Sequence, residues 1–160
     1  MDGVRLLLVR HGHAGTKEGW NRADRLRPLD ARGRRQADHL VGVLGDLGPE
    51  RIVSSPYVRC LETMEPLAAK LALAVEHDDV LTPVRPTRAV GLVRALASTE
   101  AAGPVVVCTH GEVMGEVLAV LAAEDRLRLG RRRPGPKGCV WVIDFDLGVA
   151  TRARYVAPRR

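Results

Sequence analysis

Two short apolar runs, each ending in a His-Gly dipeptide, constrain the fold of this chain more than any other feature. The first is Leu6-Leu7-Leu8-Val9, which continues as Arg10-His11-Gly12-His13, and the second is Val105-Val106-Val107-Cys108, which continues as Thr109-His110-Gly111. Such runs are typical of buried strands in an α/β sheet, and a glycine after the strand permits a sharp turn. Because the carboxyl ends of parallel strands meet at one crevice, we expect both imidazoles there.

The residues at the two strand ends suit an anionic ligand. An imidazole that is neutral near pH 7 can act as a nucleophile, and the guanidinium of Arg10 can hold two phosphate oxygens in a planar fork. Taken alone, the first segment is equally well interpreted as a solvated polar turn. The second His-Gly strand is what favours a shared site.

Three motifs follow one another along the chain: Arg10-His11-Gly12, Ser54-Ser55-Pro56-Tyr57-Val58-Arg59-Cys60-Leu61-Glu62-Thr63, and Thr109-His110-Gly111. Together they resemble the histidine phosphatase superfamily. The short length and the run Arg27-Pro28-Leu29-Asp30-Ala31-Arg32-Gly33 bring the chain nearest to the small branch with the SixA-type phosphohistidine phosphatases. The same run resembles phosphatase domains that some actinobacterial proteins fuse to a Nudix domain. The resemblance implies a phosphoglycerate-mutase-like α/β fold, a three-layer sandwich whose mostly parallel central sheet is flanked by helices.

The remaining pattern places the other elements. Asp30 is the predicted N-cap of a helix through about Leu47, and Ala14 to Leu29 is predicted to be a loop bordering the site. Thr87 is predicted to cap a helix to Ala97, and Ser55-Pro56 to start one that ends near Leu71. The other predicted elements are strands 51–54, 73–76, 105–109, 139–145 and 151–156 and a helix over 112–124, with the last two strands forming an edge hairpin.

The resemblance also implies roles for individual residues. His11 is the expected nucleophile, and Arg10, Arg59 and His110 are expected to hold the phosphoryl oxygens. Gly12, His13 and Gly111 complete the expected substrate-binding set, although a water-facing loop histidine is an equally good interpretation of His13.

Glu112, two residues beyond His110, has two interpretations. We favour a carboxylate stabilised by the helix dipole, worth about 0.3–1 kcal/mol. The alternative is a catalytic acid that protonates the leaving group. Many members of the superfamily carry a glutamate for this purpose after the stretch that ends at Leu81, where this chain has Thr82-Pro83-Val84-Arg85-Pro86. Without a dedicated acid, substrates with good leaving groups are favoured, such as a phosphorylated imidazole or a phosphoanhydride. No metal or other cofactor is expected.

Composition bounds the remaining possibilities. The 160 residues, 46% of them hydrophobic, suffice for one core, so we expect a single domain over 1–160. No apolar run approaches the length of a membrane span, and no signal segment is recognised. Three scattered cysteines favour reduced thiols in the cytoplasm. The net charge of +6 fits electrostatic steering of small anionic substrates. Only 3% of the residues are aromatic and no nucleic-acid-binding motif is found, which disfavours a nucleic acid as the partner.

Three functions remain open from the sequence. The favoured one is a phosphatase for a phosphohistidine protein or a small phosphorylated metabolite, working through a phosphohistidine on His11. The second is a nucleoside di- or triphosphate phosphohydrolase on the same fold. The third is a non-catalytic module that binds phosphorylated partners, against which the intact His11 counts.

Overall fold

The computed structural model describes residues 3–99, 103–131 and 134–159, and in these ranges strands and helices alternate along most of the chain. The strands are β1 (Val4–Arg10), β2 (Arg51–Ser54), β3 (Val75–His77), β4 (Val105–Thr109), β5 (Val140–Asp146) and β6 (Val149–Val156). The α-helices are α1 (Ala31–Gly45), α2 (Val58–Leu71), α3 (Ala89–Ala97) and α4 (Gly111–Glu124). Short 3₁₀ turns span Asp24–Leu26, Asp79–Leu81 and Pro86–Arg88.

The strands form one sheet in the order β3-β2-β4-β1-β5-β6. The first four are parallel, whereas β5 runs antiparallel to β1 and β6 antiparallel to β5. This arrangement confirms the predicted α/β class, the mostly parallel sheet and the C-terminal edge hairpin. The two strands that end in His-Gly are neighbours, with Arg10 opposite Thr109 in the ladder.

Helices cover both faces of the sheet, which explains why the central residues of β1, Leu6 to Val9, and the first four residues of β4 are apolar. Side chains alternate across β1, so that Leu6 and Leu8 pack with α3 and α4 while Leu7 and Val9 pack with α1 and α2. All four are fully buried. Burial of each such side chain contributes roughly 1.5–3 kcal/mol, so the strand that carries His11 is strongly anchored.

The helix starts follow the sequence signals in one case out of three. Asp30 caps α1 as predicted, accepting a hydrogen bond from the Gly33 N–H. The predicted start of α2 at Ser55-Pro56 is wrong, because the hydroxyl of Ser55 bonds to His110 and the helix begins at Val58. The predicted Thr87 cap is also wrong: a 3₁₀ turn over Pro86–Arg88 precedes α3, which has no side-chain cap.

The loop from Ala14 to Leu29 has little regular structure, as predicted, yet its ends are fixed. Ala14 and Leu29 are buried with Ala37 of α1, and the Leu29 N–H donates to Glu62 of α2. Of the basic residues in the loop after α4 and at the C-terminus, Arg132, Arg133 and Arg160 lie outside the described residues. No helix in the described ranges is long and apolar enough to cross a bilayer.

Candidate active site

The structure brings His11 and His110 together at the carboxyl ends of two adjacent strands. His11 follows β1 and His110 follows β4, and the His11 N–H donates to the Thr109 carbonyl. The ring centroids lie 5.3 Å apart in an edge-on arrangement, and both side chains are buried. The parallel register of β1 and β4 therefore sets the distance between the two imidazoles.

Hydrogen bonding fixes the tautomer of His11. Its Nδ1 lies 2.7 Å from the Gly12 carbonyl, which can only accept, so Nδ1 carries the hydrogen, and the lone pair of Nε2 accepts a long hydrogen bond from Arg59 Nε at 3.4 Å. Burial lowers the pKa of His11 most, the hydrogen bond to the Gly12 carbonyl partly offsets this, and the charges of Arg59, Arg10 and Lys137 lower it further, to about 3. The ring is therefore neutral at physiological pH, with Nε2 unprotonated.

In His110 the two ring nitrogens have the reverse arrangement from His11: Nε2 contacts another side chain, and Nδ1 is left without a partner among the described residues. Its Nε2 lies 2.9 Å from Ser55 Oγ, which also accepts from the Tyr57 N–H, and we assign the Ser55 hydroxyl as the donor to the imidazole. In the neutral ring the remaining hydrogen is then on Nδ1, which is buried and has no partner among the described residues. Burial and the charges of His11 and Arg59 lower the pKa of His110 to about 2.

Arg10 is held by its distal end. One terminal nitrogen donates to the Gly135 carbonyl at 2.6 Å, while its Nε is buried without a partner in the part of the chain that is described. The guanidinium passes directly over Gly111, where an added Cβ would lie 2.7 Å from Arg10 Cζ. Only glycine leaves room for this placement. The site thus contains two buried, unpartnered donors, on Arg10 and His110, each of which costs about 1–3 kcal/mol unless a ligand satisfies it.

Arg59 is the second residue of α2 and points back into the crevice. Its Nε lies 3.4 Å from His11 Nε2, and its terminal nitrogens donate to the carbonyl and carboxylate of Asp24. Asp24 also accepts from Arg27, so one carboxylate joins two guanidiniums. The face of Arg59 rests on the ring of Tyr57, 4.9 Å from its centroid. These contacts hold the guanidinium beside the His11 nitrogen that is free to react.

Gly12 and His13 are fastened to the neighbouring helices. The Gly12 N–H donates to Thr63 Oγ1, so this amide is engaged within the protein, and the His13 N–H donates to Gln36. The Nδ1 of His13 makes a very short contact with the carboxylate of Asp30. About 30% of the His13 side chain is exposed. His13 therefore lies at the mouth of the site, and its Nε2 takes no part in these contacts.

Glu112 is the second residue of α4, and its side chain is exposed. This placement is compatible with a carboxylate that interacts with the helix dipole. Its role as a proton donor remains a prediction. Among the described residues, no group of three or more His, Cys, Asp or Glu side chains is placed to hold a metal ion.

Sequence reasoning missed three contributors to this site. Asp24 binds Arg59, Ser55 orients His110, and Lys137 is near enough to influence the pKa of His11. The three-residue spacing of Asp24 and Arg27 favours an ion pair on a helical turn, but no periodicity in the loop signals that turn. Nothing in the sequence indicates that Lys137 lies against the end of β1.

The low pKa values of the two histidines predict acid sensitivity of the fold. The unfolded chain protonates both imidazoles below about pH 6.5, whereas the folded protein resists this until about pH 3 and 2. The free energy of unfolding should therefore fall as the pH drops below 6.5, by about 2 kcal/mol per histidine at pH 5. Urea unfolding at pH 7.5 and pH 5 measures the fall. His110→Gln should show a smaller fall by about that amount, and an equal fall in both proteins would contradict the prediction.

Comparison with known proteins agrees with the resemblance seen in the motifs. Residues 6–84 match the family model for the histidine phosphatase superfamily, branch 1. An 8-oxo-(d)GTP phosphatase of Mycolicibacterium smegmatis is 32% identical over 163 residues, covering 99% of this chain and 49% of that protein. The chain thus spans about half the length of this curated relative.

Solved structures share the fold. The protein histidine phosphatase SixA in complex with tungstate superimposes with a TM-score of 0.75 at 22% identity, covering 96% of this chain and 95% of that one. A mycobacterial glucosyl-3-phosphoglycerate phosphatase in complex with VO₃ has a TM-score of 0.70 at 22% identity, covering 94% and 96%. At these identities the likeness concerns the fold alone.

Proposed function

Since the chain belongs to the histidine phosphatase superfamily, we propose that it is a phosphatase that transfers a phosphoryl group to Nε2 of His11 and then to water. The observation that carries the proposal is the tautomer of His11. Its Nδ1 hydrogen is bound to the Gly12 carbonyl, and its low pKa leaves Nε2 unprotonated at physiological pH. A buried imidazole with an unprotonated nitrogen, engaged only by the long contact from Arg59 Nε, is suited to nucleophilic attack on phosphorus at a cationic site.

The reaction divides into two displacements. In the first, a bond forms between His11 Nε2 and phosphorus while the bond from phosphorus to the leaving atom breaks, and the leaving group departs with the electron pair. In the second, water attacks the phosphorus, the nitrogen–phosphorus bond breaks, and inorganic phosphate is released with a neutral imidazole restored. Each step is easier than direct attack of water on the substrate.

The donors around His11 support this role because they face the place where negative charge accumulates. Arg10 Nε and His110 Nδ1 lack partners among the described residues, and Arg59 Nε lies next to the attacking nitrogen. Transferring phosphoryl groups spread charge over their three equatorial oxygens, which such fixed donors stabilise. The complexes of two relatives of this fold with tungstate and VO₃ are in keeping with an oxyanion site here.

For the substrate, we propose a compound with a good leaving group. A phosphohistidine protein meets this requirement, as does a small phosphorylated metabolite with a weakly basic leaving group, and the fold of SixA is in keeping with the former. A nucleoside di- or triphosphate is the second candidate, and the observation that favours it is the 32% identity with an 8-oxo-(d)GTP phosphatase across nearly the whole chain. A module that only binds phosphorylated partners would have no need for an unprotonated Nε2 on His11.

A trapping experiment tests the proposed intermediate. The protein is mixed with a radiolabelled phosphohistidine peptide or with a nucleoside diphosphate labelled in its terminal phosphate, and then quenched in alkali, in which a phosphoramidate bond survives. We expect label on the protein early in the reaction and release of inorganic phosphate afterwards. The substrate that labels the protein faster identifies the substrate class, phosphohistidine protein or nucleotide. Phosphate release with no trapped label at any time, or no release from either substrate, would contradict the proposal.

A further inference from the structure

Lys137 is fixed next to the site by its backbone. The following residue, Gly138, donates its N–H to the carbonyls of both Arg10 and His11, at 3.1 and 3.0 Å. The carbonyl of Lys137 accepts a hydrogen bond from Nε2 of Gln36. The Oε1 atom of the same glutamine accepts from the His13 N–H. The loop that carries Lys137 is therefore attached to the end of β1, and its position relative to His11 is set by main-chain hydrogen bonds.

The surroundings of the Lys137 ammonium group are cationic. The residue is half-buried, and in the described ranges no hydrogen bond or ion pair reaches its side chain. Burial lowers the pKa of Lys137 most, and the charges of Arg10, Arg27 and Arg59 lower it further, against the opposite effect of Asp30. A lysine without a partner among three arginines raises the free energy of the empty protein, because like charges repel and the ammonium loses solvent. A bound anion would relieve both costs.

Lys137 acts on His11 more weakly than the two arginines beside the nucleophile do: its charge affects the pKa of His11 less than the charge of Arg59 or Arg10 does. It also interacts with Arg27 and Asp30, which belong to the segment before and at the start of α1. Arg27 is itself buried and is held by the Ala14 carbonyl. Arg27 shares the Asp24 carboxylate with Arg59, and the Lys137 carbonyl shares Gln36 with the His13 N–H, so both cations lie beside the nucleophilic centre.

We propose that Lys137 and Arg27 form a second anion subsite, which binds a phosphoryl group adjoining the one that His11 attacks. The inference rests on the proposed function and narrows it, because the substrate class becomes a phosphoanhydride with at least two linked phosphoryl groups, such as a nucleoside diphosphate or triphosphate. His11 Nε2 attacks the terminal phosphorus, the bond from that phosphorus to the bridging oxygen breaks, and the penultimate phosphate leaves with the electron pair.

This subsite also accounts for leaving-group stabilisation. A phosphate that leaves from a phosphoanhydride gains negative charge, and an ammonium group next to it neutralises that charge without donating a proton. A simple alkoxide has no second phosphoryl group to contact Lys137 and needs a proton instead. The chain has no acid directly after Leu81 to protonate an alkoxide. A cation at the leaving group can instead neutralise the charge of a departing phosphate, which is what a phosphoanhydride substrate requires.

Binding measurements on inactive protein test the subsite without relying on turnover. The background variant is His11→Ala, which keeps inorganic pyrophosphate intact during calorimetric titration, and the probes are inorganic phosphate and inorganic pyrophosphate. We expect pyrophosphate to bind about tenfold more tightly than phosphate, and addition of Lys137→Gln to weaken pyrophosphate about tenfold but phosphate less than threefold. Lys137→Arg should retain most of the preference. The matched control is Arg131→Gln, an exposed cation of the same loop, which should alter neither affinity.

The outcomes separate this inference from the proposed function. Equal affinity for the two probes, or an equal loss of both in Lys137→Gln with the fold intact by circular dichroism, would overturn the subsite. Suppose that the His11→Ala protein binds pyrophosphate selectively, but the protein with His11 intact releases no phosphate from any substrate. This result would uphold the subsite and contradict the proposed phosphatase activity. Release of phosphate from the phosphohistidine peptide, together with equal affinities for phosphate and pyrophosphate, would uphold the phosphatase activity and contradict the subsite.

Discussion

Replacing His11 by alanine should lower kcat/KM for every phosphorylated substrate by about 10³-fold or more. In the proposed reaction the Nε2 lone pair forms the covalent bond to phosphorus, and alanine offers no substitute. Inorganic phosphate release by the purified variant, at substrate concentrations well below KM, measures the effect. The donors on Arg10 and His110 remain in place, so tungstate should still bind to the variant.

The control for this experiment is His39→Ala. His39 is the ninth residue of α1, outside the set of side chains that surrounds His11, and the substitution removes the same kind of side chain. We expect wild-type kinetics from it. Activity of His11→Ala within tenfold of the His39→Ala protein would refute the assignment of the nucleophile, whatever substrate is used.

The second large effect is expected from the smallest substitution, Gly111→Ala. The added Cβ would lie 2.7 Å from Cζ and 2.9 Å from a terminal nitrogen of Arg10, closer than real contacts allow. The guanidinium is the flexible end of its side chain, so it should move and lose its bond to the Gly135 carbonyl. We expect kcat/KM to fall about 10- to 100-fold because a charged donor to the phosphoryl oxygens is misplaced.

Stability separates this effect from damage to the fold. Gly111 begins α4, where alanine is a good helix former, so the melting temperature should change little. Gly115→Ala, one turn later in the same helix, is the matched control, since its Cβ would meet only Pro134, at 4.0 Å. If Gly111→Ala and Gly115→Ala are equally active, then the close approach of Arg10 to Gly111 has no part in catalysis.

The fold was largely predictable because its strongest signals are local. Leu6 to Val9 and Val105 to Cys108 are apolar in every position, which only strands covered on both faces require. Asp30 caps α1 because a carboxylate before a helical pattern satisfies free backbone N–H groups. The hairpin of β5 and β6 was likewise indicated by two strand-like runs on either side of Gly148.

The parts that sequence reasoning misplaced depend on contacts between distant segments. Ser55 has the residue type and position of a helix cap, yet its hydroxyl binds His110, 55 residues away. Asp24 reaches Arg59 across 35 residues, and its own segment has no periodicity that reveals a turn. The position of Lys137 follows from main-chain hydrogen bonds between its loop and β1, which no side-chain pattern encodes.

The two imidazoles and the outer cations have different structural origins. His11 and His110 extend from paired inner strands of the sheet, whereas Arg27 and Lys137 come from segments without regular structure. Insertions or substitutions in those segments can alter which leaving group is accepted while the spacing of the imidazoles stays the same, since that spacing depends on the β1–β4 ladder. The chemistry and the choice of substrate can therefore diversify independently. New specificities among chains of this architecture should arise first in the loops before α1 and before β5.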